Sequence, residues 1–122
     1  MKKIWIVPVI ARRGGDGEFL ILVRNSGGFF MVDCDDVGSK GYIGGVVEKA
    51  NEDMGVDIDM GKMFGFLQDE NGIRLYFYAG VMEMDVRDYD MGEYIWVGLG
   101  KMRDYLDGEE VEVVSRGLMK LY

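Results

Sequence analysis

The sequence predicts an α+β fold, an α/β/α sandwich in which a mixed β-sheet lies between helices. Two observations predict it. Strand-like segments occur in both halves of the chain, and an amphipathic helical segment follows each group of strands. A chain of 122 residues is the size of one domain and can bury a substantial core without disulfides or metals. We therefore expect residues 1–122 to form a single domain.

The first half of the chain is predicted to begin with a β-hairpin. Residues 4–11 and Phe19–Arg24 are apolar and rich in β-branched side chains, and the glycine-rich segment RRGGDGE separates them. Residues 29–32 can form a further short strand ahead of the acidic turn DCDDVG. A loop that contains glycine, aspartate and aromatic residues therefore joins the hairpin to the first helix.

The central segment SKGYIGGVVEKANEDMGV predicts an α-helix that begins near Ser39 as N-cap and ends at Gly55. Its apolar residues at helical spacing, expected to form the buried stripe, are Ile43, Val47, Ala50 and Met54. Three glycines weaken the first half of this helix, since each costs up to about 1 kcal/mol relative to alanine. Their presence suggests close backbone packing or a loop that reaches a ligand.

The second half is predicted to contain three strands and a terminal helix. The segments VDIDMGKMFGFLQ and IRLYFYAGVMEM flank the turn DENG, where Asn71-Gly72 favours a hairpin, and the apolar middle of the second segment suggests a strand covered on both faces. EYIWVGL forms another short strand. The last segment has acidic residues first and basic residues late, which suits the helix dipole, and one apolar face made of Val111, Val114, Leu118 and Leu121.

Composition excludes several classes of function. The chain has no histidine, so Ser–His and Cys–His nucleophilic schemes and zinc sites with histidine ligands are ruled out. Its net charge of −8 argues against a nucleic-acid polymer as partner. No apolar run is long enough to span a membrane. A single cysteine, Cys34, cannot form an internal disulfide and fits a reducing cytoplasm; the acidic residues around it should raise the pKa of its thiol.

Taken in this order, the elements resemble the Nudix hydrolases over essentially the whole chain. WIVPVIARRGGDGEFLILVRN is similar to the first hairpin of that family, VEKANEDMGVDI to its box helix and exit, and EYIWVGLGKM to its late Glu-x-x-Trp-apolar segment. In the family, carboxylates one helical turn apart converge on Mg²⁺, which neutralises a diphosphate and orients a water molecule for attack at phosphorus.

The box of this chain departs from the family pattern. With Gly55 and Val56 as anchor, the Glu-Glu pair of the family is retained as Glu52-Asp53. The Arg-Glu pair is replaced by Glu48-Lys49, and a protonated lysine cannot bind a metal ion. Further upstream, Lys40 occupies the position of the box glutamate and Cys34 that of the box glycine. These replacements bear on activity more than on fold.

The resemblance implies a set of site residues. Glu52, Glu48 and Glu93 would be catalytic, and Glu52 with Asp53 would bind Mg²⁺ or Mn²⁺. From their places in the chain, Arg24 at the end of the second strand is a candidate to contact a substrate phosphate, and Phe30 is a candidate to stack on a base. Each residue also has an ordinary structural interpretation. The helix acids can form a solvated face, Glu93 can lie exposed at a strand edge, Arg24 can form a rim salt bridge, and Phe30, like Phe29 and Tyr42, can belong to the core. Glu83 has the same ambiguity.

Three hypotheses follow. The chain is a metal-dependent hydrolase of a nucleoside diphosphate linked to another group, or a Nudix-fold module that binds a nucleotide without hydrolysing it, or a protein-interaction domain built on the same scaffold. The first two imply a small nucleotide or diphosphate compound as partner. Because homodimers are frequent in the family, a homodimer is possible.

Overall fold

The computed structural model describes residues 3–36, 41–81 and 92–120. Its strands are β1 (Lys3–Arg13), β2 (Phe19–Arg24), β3 (Val32–Asp33), β4 (Ile58–Gln68), β5 (Gly72–Val81) and β6 (Tyr94–Gly98). Its α-helices are α1 (Gly41–Met54) and α2 (Gly108–Met119), and two short 3-10 helices span Cys34–Asp36 and Leu99–Asp104. Within this part of the chain, no helix is long and apolar enough to cross a membrane.

The six strands form one mixed sheet. Its order is β4-β5-β1-β2-β6. The short strand β3 pairs with β1 at Trp5 and Ile6, whereas β2 pairs with β1 at residues 11–13. The central pair, β1 and β5, is parallel, whereas all other pairs are antiparallel. Both predicted hairpins, β1–β2 and β4–β5, are confirmed. A parallel pair needs a long crossover, and the chain from β1 to β5 provides one that includes α1.

In the described ranges, each face of the sheet carries one α-helix and one hydrophobic core, which confirms the predicted α/β/α arrangement. On the first face, α1 packs against side chains that include Ile6, Ile10 and Leu22. On the opposite face, α2 packs against side chains that include Val7, Val9 and Ile21. Neighbouring residues of β1 thus enter different cores, as the alternation of a strand requires. Strand β5 also contributes to both cores, so its predicted burial on two faces is confirmed.

The buried stripe of α1 differs from the prediction. The residues that enter the core are Val46, Ala50 and Met54, with Gly45 beside them, and Val47 is only partly buried. Ile43 is 46% exposed, which makes its assignment to the stripe wrong. Because three glycines lie in the first two turns, the sequence offers few side chains there from which to predict which face of the helix is buried. Once α1 is docked, the small Gly45 faces the sheet and Ile43 faces outward.

Other boundaries are close to those expected. Gly55 ends α1 with a φ of +67°, and its N–H donates to the carbonyl of Asn51 at 2.8 Å. The short strand predicted at 29–32 is instead β3, which begins at Val32, while Phe29 and Phe30 are core residues. Predictions for Ser39, Lys40, Glu83 and Leu121 lie outside the described residues.

Helix α2 begins at an aspartate cap. The side chain of Asp107 accepts a hydrogen bond from the backbone N–H of Glu110 at 2.8 Å. Its predicted apolar face is confirmed at Val114 and Leu118, and Val111 is partly buried. Glu110 had been expected only to complement the helix dipole, but it is 3% exposed and lies in the interior.

Candidate functional site

The candidate site lies where the end of α1 approaches the start of β6. Glu48, Glu52 and Asp53 are exposed on α1, on the side of the sheet that also carries Tyr94. Glu48 and Glu52 are four residues apart, so their side chains share one face of the helix. The burial of Met54 and the stop at Gly55 position this acidic turn, because together they orient the last turn of α1 on the sheet.

Tyr94, at the start of β6, is the residue around which this region is organised. It is 5% exposed, and in the sheet it lies beside Arg24 at the end of β2. The ring of Phe30 packs against it edge-to-face, with ring centroids 6.4 Å apart and an interplanar angle of 68°. The orientation of the Tyr94 phenol is therefore supported by packing as well as by strand pairing.

The charges around Tyr94 come from three different elements. Burial raises the pKa of the Tyr94 phenol, the positive charge of Arg24 lowers that pKa, and the negative charges of Asp53 and Glu93 raise it. The carboxylate from α1, the guanidinium from β2 and the carboxylate that precedes β6 therefore lie close enough to act on one phenol. The structure thus brings together three of the residues selected from the sequence.

Backbone contacts hold Glu93 next to Arg24. The N–H of Asn25 donates to the carbonyl of Glu93 at 2.8 Å, and the side-chain amide of Asn25 donates to the carbonyl of Gly92 at 2.8 Å. The N–H of Arg24 donates to the carbonyl of Gly28 at 2.9 Å. These bonds join the end of β2 to the residues that precede β6, so Glu93 and Arg24 are fixed relative to each other.

Arg24 has an unsatisfied donor. Its Nε is buried and has no hydrogen-bond partner in the described part of the chain. A buried N–H without an acceptor costs free energy, so such groups are rare in folded proteins. The arginine is half-buried as a whole, and an anionic group that binds beside it would supply acceptors.

The remaining selected residues have other surroundings. Phe30 is 5% exposed and belongs to the core, as its structural interpretation predicted. Stacking of Phe30 on a substrate base stays a prediction, as do the catalytic roles of Glu52 and Glu48.

Lys49 is partly buried between the acids of α1. Burial raises the pKa of the Cys34 thiol, and the charges of Asp33 and Asp35 raise it further, in the direction expected from the acidic sequence.

Sequence reasoning missed an aromatic residue on the same face. Trp96 lies two positions after Tyr94 on β6 and packs partly buried against the same core. The guanidinium carbon of Arg12 lies 4.8 Å from the centroid of its ring. The signal was present in EYIWV, because period-2 alternation places residues 94 and 96 on one face of a strand.

The acids of α1 do not form a complete metal site by themselves. Across residues 3–36, 41–81 and 92–120, no three His, Cys, Asp or Glu side chains gather in a way that could hold a metal ion. Glu52 and Asp53 are adjacent, and the next family position carries Lys49. The described residues therefore do not fit a resident Mg²⁺ held by the protein alone.

Comparisons with known proteins identify the fold. No protein-family model matches the chain, and no curated protein sequence matches it. Three similar solved structures are the ORF135 protein of E. coli, the MutT protein from Methanosarcina mazei Go1 and Shewanella oneidensis NrtR. Their TM-scores are 0.63, 0.62 and 0.60, and their sequence identities are 16%, 21% and 11%. The matches cover 99%, 98% and 98% of this chain, and 91%, 94% and 64% of the respective relatives.

These similarities establish a Nudix-like fold. The MutT protein and NrtR each match 98% of this chain, including its mixed sheet and helices, although the match covers only 64% of NrtR. Identities of this size carry the fold alone. Substrate and activity must be argued from the region around Tyr94.

Proposed function

We propose that this chain is a Nudix-type hydrolase of a nucleoside diphosphate linked to another group. The observation that carries the proposal is the arrangement at Tyr94: Arg24 pairs with it across the sheet, the backbone of Asn25 holds Glu93 beside it, and the charge of Asp53 raises the pKa of its phenol. A cation and two carboxylates from three separate elements, on a Nudix-like fold, suit a ligand that has both phosphate groups and a bound divalent cation.

Arg24 is the proposed contact for phosphate. Its guanidinium carries an unsatisfied Nε–H and lies half-buried, where a charge-assisted hydrogen bond to phosphate is stronger than in open solvent. Because the chain as a whole has a net charge of −8, the positive charge of Arg24 makes this region locally more attractive to an anionic ligand.

Glu52 and Asp53 are proposed to bind the divalent cation that accompanies the diphosphate. Mg²⁺ is commonly held by one or two carboxylates together with substrate phosphates and waters, so a cation that arrives on the substrate needs fewer protein ligands than a resident ion. When bound, such an ion would neutralise charge on the diphosphate. The pair therefore suits a metal–diphosphate complex although no third acid gathers with it in the described residues.

Glu93 is the proposed general base. It is exposed and fixed beside Arg24 through Asn25, so a water molecule between its carboxylate and a bound phosphate would be within reach. The water oxygen adds to phosphorus, its proton passes to the carboxylate, and the anhydride P–O bond breaks to release the second phosphate product. Glu48, on the same face of α1 as Glu52, is proposed to assist.

A second function is binding without hydrolysis. It is favoured by Lys49 at the position of a family acid and by the absence of a three-carboxylate group in the described ranges. A chain of this kind would keep the contact of Arg24 with phosphate and lose the chemistry.

The test compares turnover and binding for ADP-ribose, a dinucleotide and a nucleoside triphosphate, each with Mg²⁺ or Mn²⁺. We expect Glu52→Gln to reduce turnover at least about tenfold. Glu109→Gln, an exposed acid of α2 on the opposite face, serves as control and should leave turnover unchanged. Turnover that survives Glu52→Gln would refute the assignment of the site. Absent turnover, with calorimetric binding that Arg24→Ala weakens, would establish the second function.

A further inference from the structure

An exposed apolar groove lies on the opposite side of the sheet, between β4 and α2. This β4–α2 groove has a volume of about 440 Å³, and its main lining residues are Phe64, Phe66, Val113, Arg116, Met119 and Lys120. Phe66 is 59% exposed and Met119 is 72% exposed. Exposed apolar side chains that group into one contiguous patch, rather than lying singly, mark interaction sites.

The floor of the groove is rigid. A Cβ added to Gly65 would lie 2.9 Å from Cγ1 of Val113, and one added to Gly117 would lie 2.1 Å from Cδ1 of Phe64. The two elements therefore approach as closely as glycine permits. The ring of Phe64 also lies 4.6 Å from that of Tyr78, centroid to centroid, which fixes it from below. The groove is consequently preformed, and binding would require little rearrangement of its floor.

The groove is positively charged on a strongly acidic chain. Arg116 and Lys120 line it, and no acidic residue lines it among those that the structure describes. Lys120 is exposed and has no salt-bridge partner in the described part of the chain, whereas Arg116 pairs with Glu112. A second groove of about 560 Å³, also lined by Arg116 and Met119, contains Arg103 and Glu112. Because Glu112 offsets the charge of Arg116, the positive charge of the β4–α2 groove comes mainly from Lys120.

Strand β4 forms one edge of the sheet. In the described residues it pairs only with β5, so one side of its backbone is open. Irregular pairing between Met60 and Gly65 disrupts the first half of this edge, but residues 65–68 pair with β5 in regular register. An extended chain can add to a regular open edge by backbone hydrogen bonds, with its side chains in neighbouring pockets.

We propose that the β4–α2 groove binds an extended acidic segment of a partner protein. The segment pairs with residues 65–68 of β4, and its side chains alternate between the two faces of the sheet. Its apolar side chains contact Phe66 at the edge, and its carboxylates reach Lys120 and Arg116 on the face that carries α2. Charge complementarity selects this occupant. A second copy bound through the same groove would bring Lys120 and Arg116 close to the same cations of its partner, so this face disfavours a symmetric dimer.

The probe is a panel of octapeptides that alternate glutamate with phenylalanine, leucine or valine, with lysine-for-glutamate versions as controls. Binding is measured by fluorescence polarisation at about 0.1 M salt. We expect the glutamate peptides to bind and the lysine peptides not to bind. Lys120→Glu should weaken binding at least about tenfold. Phe66→Ser should weaken it as well, without changing the circular dichroism spectrum, because Phe66 is already exposed.

Lys101→Glu is the matched control, since Lys101 is exposed and lines neither groove. It should change the affinity less than about twofold. Equal losses in Lys101→Glu and Lys120→Glu would reveal nonspecific attraction and overturn the proposal. So would equal binding of glutamate and lysine peptides, no binding of either, a concentration-dependent dimer that Phe66→Ser abolishes, or preference for phosphatidylserine vesicles over the peptides.

Discussion

The phenol of Tyr76 donates a hydrogen bond to Oε2 of Glu110 across 2.6 Å, and this contact joins β5 to α2. The same oxygen accepts from Nη1 of Arg74 at 3.2 Å. A carboxylate that is 3% exposed thus obtains one neutral and one charged donor. Buried charge is tolerated only with such partners, so this network governs how α2 attaches to the sheet.

Loss of the phenol should weaken that attachment. Tyr76→Phe leaves the buried carboxylate of Glu110 with one donor fewer, and we expect the free energy of unfolding to fall by about 1–3 kcal/mol. Urea denaturation measures the change. Tyr42→Phe, at a tyrosine 60% exposed on α1, is the control and should be nearly neutral. An equal effect of both substitutions would contradict the importance of the network.

Stability should respond to pH through Glu110. Burial raises the pKa of this carboxyl above its ordinary value of 4.5, while Tyr76 and Arg74 oppose the shift. The folded chain therefore holds the proton more tightly than the unfolded chain. The stabilisation from Glu110 is complete below about pH 4.5 and is lost as pH rises through the higher folded value.

This pH dependence is measured as the difference in unfolding free energy between the wild type and Glu110→Gln. We expect the wild type to lose stability relative to Glu110→Gln as pH rises above about 4.5. Glu112→Gln, an exposed neighbour on α2, should show no such trend. A difference that moves the opposite way would mean that the partners of Glu110 outweigh its burial.

Restoring an acid at position 49 should strengthen metal binding. Lys49→Glu would place a carboxylate three residues before Glu52 and four before Asp53, at the spacing that brings helix side chains together. We expect Mn²⁺ to bind roughly tenfold more tightly, since affinity follows the number of charged ligands. Isothermal titration calorimetry measures it. Lys62→Glu on β4 makes the same charge change elsewhere and should have little effect; an equal gain there would indicate a general effect of charge.

Close packing of α2 on β4 should make Gly117 intolerant of a side chain. In Gly117→Ala, the new Cβ would fall 2.1 Å from Cδ1 and 2.5 Å from Cε1 of Phe64. The ring cannot move freely, because it is packed against Tyr76 and Tyr78. We expect a loss of about 1–3 kcal/mol in unfolding free energy, measured by urea denaturation.

The control for that substitution is Gly108→Ala at the start of the same helix. Nothing lies within 4 Å of a Cβ there, so the change should be neutral or slightly stabilising. If both alanine variants were equally stable, the approach of α2 to Phe64 would be looser than described.

Parts of the fold were predictable because short-range chemistry specifies them. The turn at Asn71-Gly72 joins β4 to β5 as expected, and Gly55 ends α1 in the left-handed conformation that favours glycine. In contrast, Ile43 was wrongly assigned to the buried stripe of α1, and the buried Val46 was not included in that stripe. With glycines at 41, 44 and 45, several phases of the helix give similar apolar stripes, and only docking on the sheet selects one.

The charged residues of the candidate site were predictable from the sequence, but the tyrosine that they surround was not. Asp53 and Glu93 were selected by comparison with a family pattern and Arg24 by its place at the end of the second strand, and the charges of all three act on one phenol. Tyr94 itself was missed, because a tyrosine inside an apolar strand looks like an ordinary core residue. Its significance comes from pairing with Arg24 across the sheet, which sequence spacing does not reveal.

The sequence by itself determined the order and kind of the elements, since turns, helix ends and strand alternation depend on residues that are near one another in the chain. Only the tertiary structure decided which residues meet. The parallel pairing of β1 with β5, the burial of Glu110 beneath Tyr76 and the convergence at Tyr94 join residues far apart in sequence. Such contacts form because burial of the two cores stabilises one arrangement of the whole chain.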